Sequence, residues 1–270
     1  MVDLLRRSLA PLTEQTWKDV DEAAARMLKS HLTARAIVDF DGPRGWDFAA
    51  VNLGRLDIAK KPATNDVPWG KRLVLPLVET RVPLKMLQME LDGIARGAKD
   101  ADLQPLEDAA RRAAMFEESA VYNGFEPGGI EGILTQSAHQ SIVLPTNIQE
   151  FPNAVAGALR ELKLAGIEGP FSLVLGTETW AGLMQSGAGG YPPQRIIQRL
   201  INGEIRMSPV IDGGVLLSAA GGYFELTVGQ DFSIGYGGHD HEHAAVELYL
   251  TESFTFRVLE PKAAVRLMPG

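Results

Sequence analysis

Tyr223-Phe-Glu-Leu-Thr-Val-Gly-Gln-Asp-Phe-Ser-Ile-Gly-Tyr236 and, shortly after it, Ala245-Val-Glu-Leu-Tyr-Leu-Thr-Glu-Ser-Phe-Thr-Phe-Arg-Val258 decide the fold. In the first stretch Phe224, Leu226, Val228, Phe232, Ile234 and Tyr236 share one face, while Glu225, Thr227, Asp231 and Ser233 take the other. In the second, Val246, Leu248, Leu250, Phe254, Phe256 and Val258 repeat the alternation. This pattern predicts two half-buried antiparallel strands joined through Gly237-Gly238 and the histidine run behind them. Glu252 falls in parity with the apolar positions, which predicts a partly buried carboxylate ion-paired to an arginine rather than a catalytic group.

Such a sheet needs helices to cover it, and two amphipathic patterns lie upstream. Leu106, Ala109, Ala110, Ala113, Phe116, Ala120 and Val121 recur at helical spacing between Pro105 and Gly124, predicting a long helix whose small-residue face admits close packing. Trp17, Val20, Ala24, Met27, Leu28, His31 and Leu32 trace another helix, capped by Thr13 and ending near Arg35. Its stripe serves either core packing or the holding of a partner.

Between these helices, Trp46–Leu56 and Lys71–Leu84 read as extended, separated by the polar, proline-bearing segment 59–68. Pro76 and Pro83 remove ladder donors and put the second run at an edge. A two-stranded arm has too little core to stand alone, so it is expected to lean on another surface. Further on come a helix over 151–163, an apolar strand over 171–175, short helices over 177–185 and 194–201, and between those two the tight loop Ser186-Gly-Ala-Gly-Gly-Tyr-Pro-Pro193.

The 270 residues carry 26 Lys+Arg against 34 Asp+Glu, a formal net charge of −8, which leaves no cation excess for a phosphate backbone. Nucleic acid is therefore not an expected partner, and without a long apolar run neither is a membrane. Zero cysteines exclude disulfides, thiolate metal sites and thiol nucleophiles, and the amino terminus lacks an apolar signal core, so a cytoplasmic location is expected. His239-Asp-His-Glu-His243 is the sharpest polar cluster, but a helical zinc motif needs a histidine where Ala245 stands; His239, His241 and His243 remain weak metal candidates. Gly187-Ala-Gly-Gly190 lacks the Lys-Ser/Thr ending of a phosphate loop, and no serine sits in a G-x-S-x-G elbow. No catalytic constellation emerges.

The order of elements, with Leu5-Arg-Arg-Ser-Leu-Ala-Pro-Leu-Thr-Glu14, Gly42-Pro-Arg-Gly-Trp46, Glu90-Leu-Asp92, Gly166-Ile-Glu-Gly-Pro170, Gly229–Tyr236 and Thr251–Phe256, resembles the family 1, linocin-like encapsulin shell proteins. The resemblance implies an α+β tailed-phage major capsid fold: an N-terminal helix and arm (1–40), an extended β-loop (50–83), a peripheral domain with a spine helix (84–134 and 220–260), an axial domain (135–219) and a C-terminal tail (261–270). It also implies a non-enzymatic protomer of an icosahedral shell, most simply of 60 copies, enclosing a peroxidase or a ferritin-like iron or redox enzyme. In such shells a C-terminal cargo peptide docks between the N-terminal helix and the peripheral sheet. On this sequence that gives Leu28, Leu32, Arg35, Asp39, Asp231, Ile234 and Gly235. Ser186, Gly187, Ala188, Gly189, Gly190 and Tyr191 fall on the loop that lines the five-fold pore. Some relatives stack a flavin on an aromatic residue where this chain has Met89, so no cofactor is expected. The weaker alternatives are a metal-dependent enzyme or hydrolase at 239–243, or a capsid protein of a phage.

Overall fold

The computed structural model describes residues 3–59, 66–186 and 191–270. Two mixed sheets, each with helices against it, share the chain, and a third, two-stranded sheet stands apart.

The first sheet is organised by the longest strand, β11 (Ala245–Val258). The stretch 223–236, which alternation predicts as one strand, is two: β9 (Phe224–Val228) and β10 (Ser233–Asp240). They share one side of β11 in succession, β10 against Ala245–Thr251 and β9 against Phe254–Val258. The break at 229–232 is held by Ser253, whose hydroxyl accepts from the Gln230 N–H at 2.8 Å. On the other side of β11 runs β4 (Val78–Leu87), and β1 (Asp39–Asp41) adds in parallel to β9. The second extended run of the sequence is likewise divided at Leu77. Its first half becomes β3 (Gly70–Pro76), paired with β2 (Ala50–Ile58) in the separate arm, and its second half is β4. Pro83 is tolerated because β4 pairs only with β11 and so is an edge strand.

Two helices cover this sheet. The spine helix α3 (Gln104–Asn123) enters at Pro105 and ends on Gly124, whose φ of 90° suits glycine. Its alanine face is fully buried, and so are Glu117 and Glu118. Helix α1 (Glu14–His31) lies against α3 and α2 (Gln88–Ala95). Thr13 caps it by accepting from the Thr16 N–H at 3.1 Å. The helix stops at His31, short of the expected end near Arg35, and a separate turn of 3-10 helix spans Ala34–Ala36. Val20, Ala23, Ala24 and Leu28 pack with Ile234, Val246, Leu248 and Leu250, whereas Trp17, Met27 and Leu32 are only partly covered.

The second sheet contains β5 (Ile142–Val143), β6 (Phe171–Leu175), β7 (Ile205–Met207), β8 (Gly214–Ser218) and β12 (Ala264–Met268), in the order β5-β12-β8-β6-β7. Helices α4 (Ile133–Gln136), α5 (Phe151–Leu164), α6 (Thr177–Gln185) and α7 (Pro193–Ile201) accompany it. Residues 264–268 are thus a strand of this sheet and not a tail. Ala264, Val265 and Leu267 are buried and lock between β5 and β8, an alternation too short for sequence reasoning to separate from a coil.

Candidate functional site

A groove of about 600 Å³ opens where the C-terminal end of α1 meets the entry to β10. Ala25, Leu28, Leu32, Ala36 and Phe232 give it apolar walls, with Lys29, Arg35, Arg206 and Asp231 adding charge. The walls follow from local sequence. The centre of the α1 stripe, Val20, Ala23, Ala24 and Leu28, is buried, and cover is lost at Leu32, because the helix ends and the chain turns down towards α3.

Arg35 fixes that turn. Its guanidinium donates to Glu117 Oε2 at 2.5 Å, to Glu252 Oε1 at 2.5 Å and to Asp231 Oδ1 at 2.9 Å. The rings of Phe40 and Phe232, each 5.0 Å from its Cζ, flank it. Burial works against the arginine charge, but the hydrogen bonds and charges of these carboxylates outweigh it and hold the group firmly protonated. Glu252 is therefore a buried carboxylate paired with an arginine. Burial, followed by the neighbouring Glu117, raises its pKa well above the ordinary carboxylate range. Beside it, Glu118 accepts from the Ala34 N–H at 3.1 Å, from Ser208 Oγ at 3.0 Å and from Thr33 Oγ1. Desolvation pushes Glu118 up to about 7 despite those donors.

Of the residues placed at a docking site by resemblance, the structure brings Leu28, Leu32, Arg35 and Asp231 to this groove. The other three lie elsewhere. Ile234 is 2% exposed and packed beneath α1. Gly235 lies under the Tyr249 ring, which occupies the space a Cβ would need. Asp39 accepts from the Gly222 N–H at 2.6 Å on the far side of β9. Phe232, Lys29 and Arg206 belong to the groove without having been singled out. Glu117 and Glu118 were legible in principle, since they fall one helical turn after Ala113 and Ala114 on the buried stripe of α3, a carboxylate in an apolar pattern as Glu252 is in its strand.

The remaining candidates are dispersed. Ser186 closes α6 by donating to the Leu183 carbonyl at 2.6 Å, and Tyr191 is exposed ahead of α7; Gly187, Ala188, Gly189 and Gly190 lie outside the described residues. The histidine run is no straight strand. It forms the turn from β10 to β11, in which Asp240 accepts from the Glu242 and His243 N–H groups and pairs with Lys85 at 2.8 Å. The His239 and His241 rings lie 4.5 Å apart between centroids, whereas His243 turns to Asp240 at 3.0 Å, and among the described residues no group of three or more His, Asp or Glu side chains is placed to hold a metal. Met89 is exposed in the first turn of α2. No described helix is long and apolar enough to cross a membrane.

The arm is distinctive for what it leaves uncovered. Leu56, Ile58, Val67, Trp69 and Val74 are each more than half exposed. Apolar exposure of this density on a two-stranded ribbon marks a surface that something else covers.

The chain is similar to known proteins over nearly its whole length. The family described as "Encapsulating protein for peroxidase" matches residues 2–255. The type 1 encapsulin shell protein of Rhodospirillum rubrum is 45% identical over 97% of this chain and 95% of its own length. That of Mycobacterium tuberculosis is 39% identical over 97% and 98%. Among solved structures, the virus-like particle from Pyrococcus furiosus superposes with a TM-score of 0.66 at 19% identity, covering 92% of this chain and 98% of its own. The capsid of an empty GTA particle gives 0.57 at 15% identity over 88% and 90%. The structural neighbours establish the tailed-phage capsid fold, and with agreement in sequence across nearly the whole length the chain belongs to the encapsulin shell proteins, a family of structural proteins rather than enzymes.

Proposed function

We propose that this chain is the protomer of a closed icosahedral shell of 60 copies in the cytoplasm, and that its groove holds the C-terminal peptide of an enclosed enzyme. The observation that carries the cargo reading is the groove itself. Leu28, Leu32 and Phe232 offer apolar pockets at the end of a helix, bordered by Arg35 and Asp231, which suits an extended segment with apolar anchors. Many identical copies turn a weak contact at each groove into firm retention. The family description favours a peroxidase as cargo; a ferritin-like protein is the alternative.

The exposed apolar side chains of the arm support assembly, since a neighbouring protomer is the surface they fit. The first sheet with α3 serves as the peripheral domain, the second sheet as the axial domain, and the loop 186–191 as the lining of a pore that passes small solutes. No cofactor enters this function.

Co-expression with a peroxidase or ferritin-like protein bearing its native C-terminus tests the reading. Cargo is expected to co-purify with particles and to be lost when its last residues are removed. Retention of cargo without those residues would overturn the docking assignment.

A further inference from the structure

Glu117, Glu118 and Glu252 are each no more than 1% exposed, yet a single guanidinium, that of Arg35, stands among them. Asp231 takes a share of the same cation at 2.9 Å. Glu117 and Glu252 share that arginine with Asp231, while Glu118 is bonded only to Thr33, Ala34 and Ser208; the balance is a net negative charge in a poorly solvated place, which proteins relieve by keeping protons bound. The hydrogen bonding points the same way. Glu252 Oε2 is buried and has no donor, and it lies beside the Glu117 carboxyl, an arrangement that needs a proton between the two acids. Around Glu118, two of the three neighbours are hydroxyls, of Thr33 and Ser208, which accept as readily as they donate; the third is the Ala34 N–H. A neutral carboxyl fits this set, its carbonyl oxygen towards Ala34 and its O–H towards a hydroxyl.

We infer that this cluster is a proton-binding latch, which fastens the 33–36 turn, and with it the wall of the groove, to the spine helix and to β11, and which releases its protons when the turn lifts. The charged and titratable groups around it are Arg35 on the turn, Lys29 near the end of α1, Tyr122 on α3, Asp231 ahead of β10, and Arg206 on β7, itself engaged with Glu204. Among the described residues, Arg35 is the cation that forms an ion pair with Glu117 and Glu252, and no ion pair reaches Glu118. Lifting the turn admits water to them and restores ordinary carboxylate behaviour.

The direction follows by linkage. Glu118 holds its proton to about 7 in the closed state against 4.5 when solvated, so the closed state is favoured in mild acid. Opening therefore becomes easier as pH rises from about 4.5 to about 7, by up to tenfold per pH unit, and levels off above. Glu252, displaced in the same direction, adds to the effect. A tighter hold on a docked peptide in mild acid is a consequence that rests on the groove reading; the latch itself does not.

Hydrogen exchange on the intact protein tests it, following the amides of Ala34, Ile37 and Val38 from pH 5 to 8 after correction for intrinsic exchange. Wild type is expected to lose protection steeply up to neutrality. Glu118→Gln, whose amide reproduces the neutral carboxyl, is expected to flatten that slope while keeping the turn closed. Wild-type protection independent of pH, or an unchanged slope in Glu118→Gln, would overturn the latch. Should the variant not fold, infrared titration of wild type decides: a buried protonated-carboxyl band present at pH 6 supports the latch, and its absence rejects it.

Discussion

Ile58 and Trp69 sit at the far end of the arm, 71% and 52% exposed, so within one protomer they contribute little to stability. In a shell they would lie under a neighbour. Fully burying a large apolar side chain contributes roughly 1.5–3 kcal/mol, and scaling by the exposed fractions gives about 1–2 kcal/mol for each. The double substitution Ile58→Ser with Trp69→Ser is therefore expected to weaken each arm contact by about 2–4 kcal/mol, a factor of about 30 to 1,000. Protomer folding should change by no more than about 0.5 kcal/mol, as is usual for exposed positions. Light scattering against protein concentration reads the assembly threshold, and circular dichroism reads the fold. A sharply raised threshold with an unchanged spectrum is expected. Particles forming at the wild-type threshold would show that the arm covers nothing on a neighbour, and the assembly argument built on it would fail.

Three further substitutions probe the groove and the cluster beneath it. Leu32→Asp places a charge on the partly covered end of the α1 stripe; particles should form at normal yield but purify without cargo on co-expression, and wild-type loading would reject the groove. Ile234→Asp puts a carboxylate into the packed layer under α1 and should cost several kcal/mol, so that little assembled protein is recovered; soluble particles at wild-type yield would contradict that burial. Arg35→Met removes the cation that Glu117, Glu252 and Asp231 share, an expected loss of about 3–5 kcal/mol that shrinks in acid as the carboxyls protonate. Thermal unfolding at pH 5 and pH 7.5 checks this, and an equal loss at both would be inconsistent with stranded carboxylates.

What the sequence reveals depends on how local the physics is. The α1 and α3 helices, their caps at Thr13 and Gly124, and the face of β11 follow from periodicity over many residues, and the buried pairing of Glu252 follows from a single parity count. The division of 223–236 into β9 and β10, and of 71–84 into β3 and β4, depends on which strand each half meets, and pairing across long sequence separations leaves no local mark. The same holds for β12, whose partners β5 and β8 lie well upstream. At the groove, Leu28 and Leu32 are visible as the end of an amphipathic stripe, whereas Arg206 arrives from β7 and carries no signal. Ile234 and Leu32 look equally apolar in sequence. Only the ending of α1 at His31 decides that one is covered and the other half open.

A shell protomer of this kind builds a closed container. Purified protein examined by electron microscopy together with native mass spectrometry tests it most directly. Uniform hollow particles whose mass corresponds to 60 protomers plus any enclosed cargo are expected. A monomer or small soluble oligomer at micromolar concentration, with no closed particles, would contradict it.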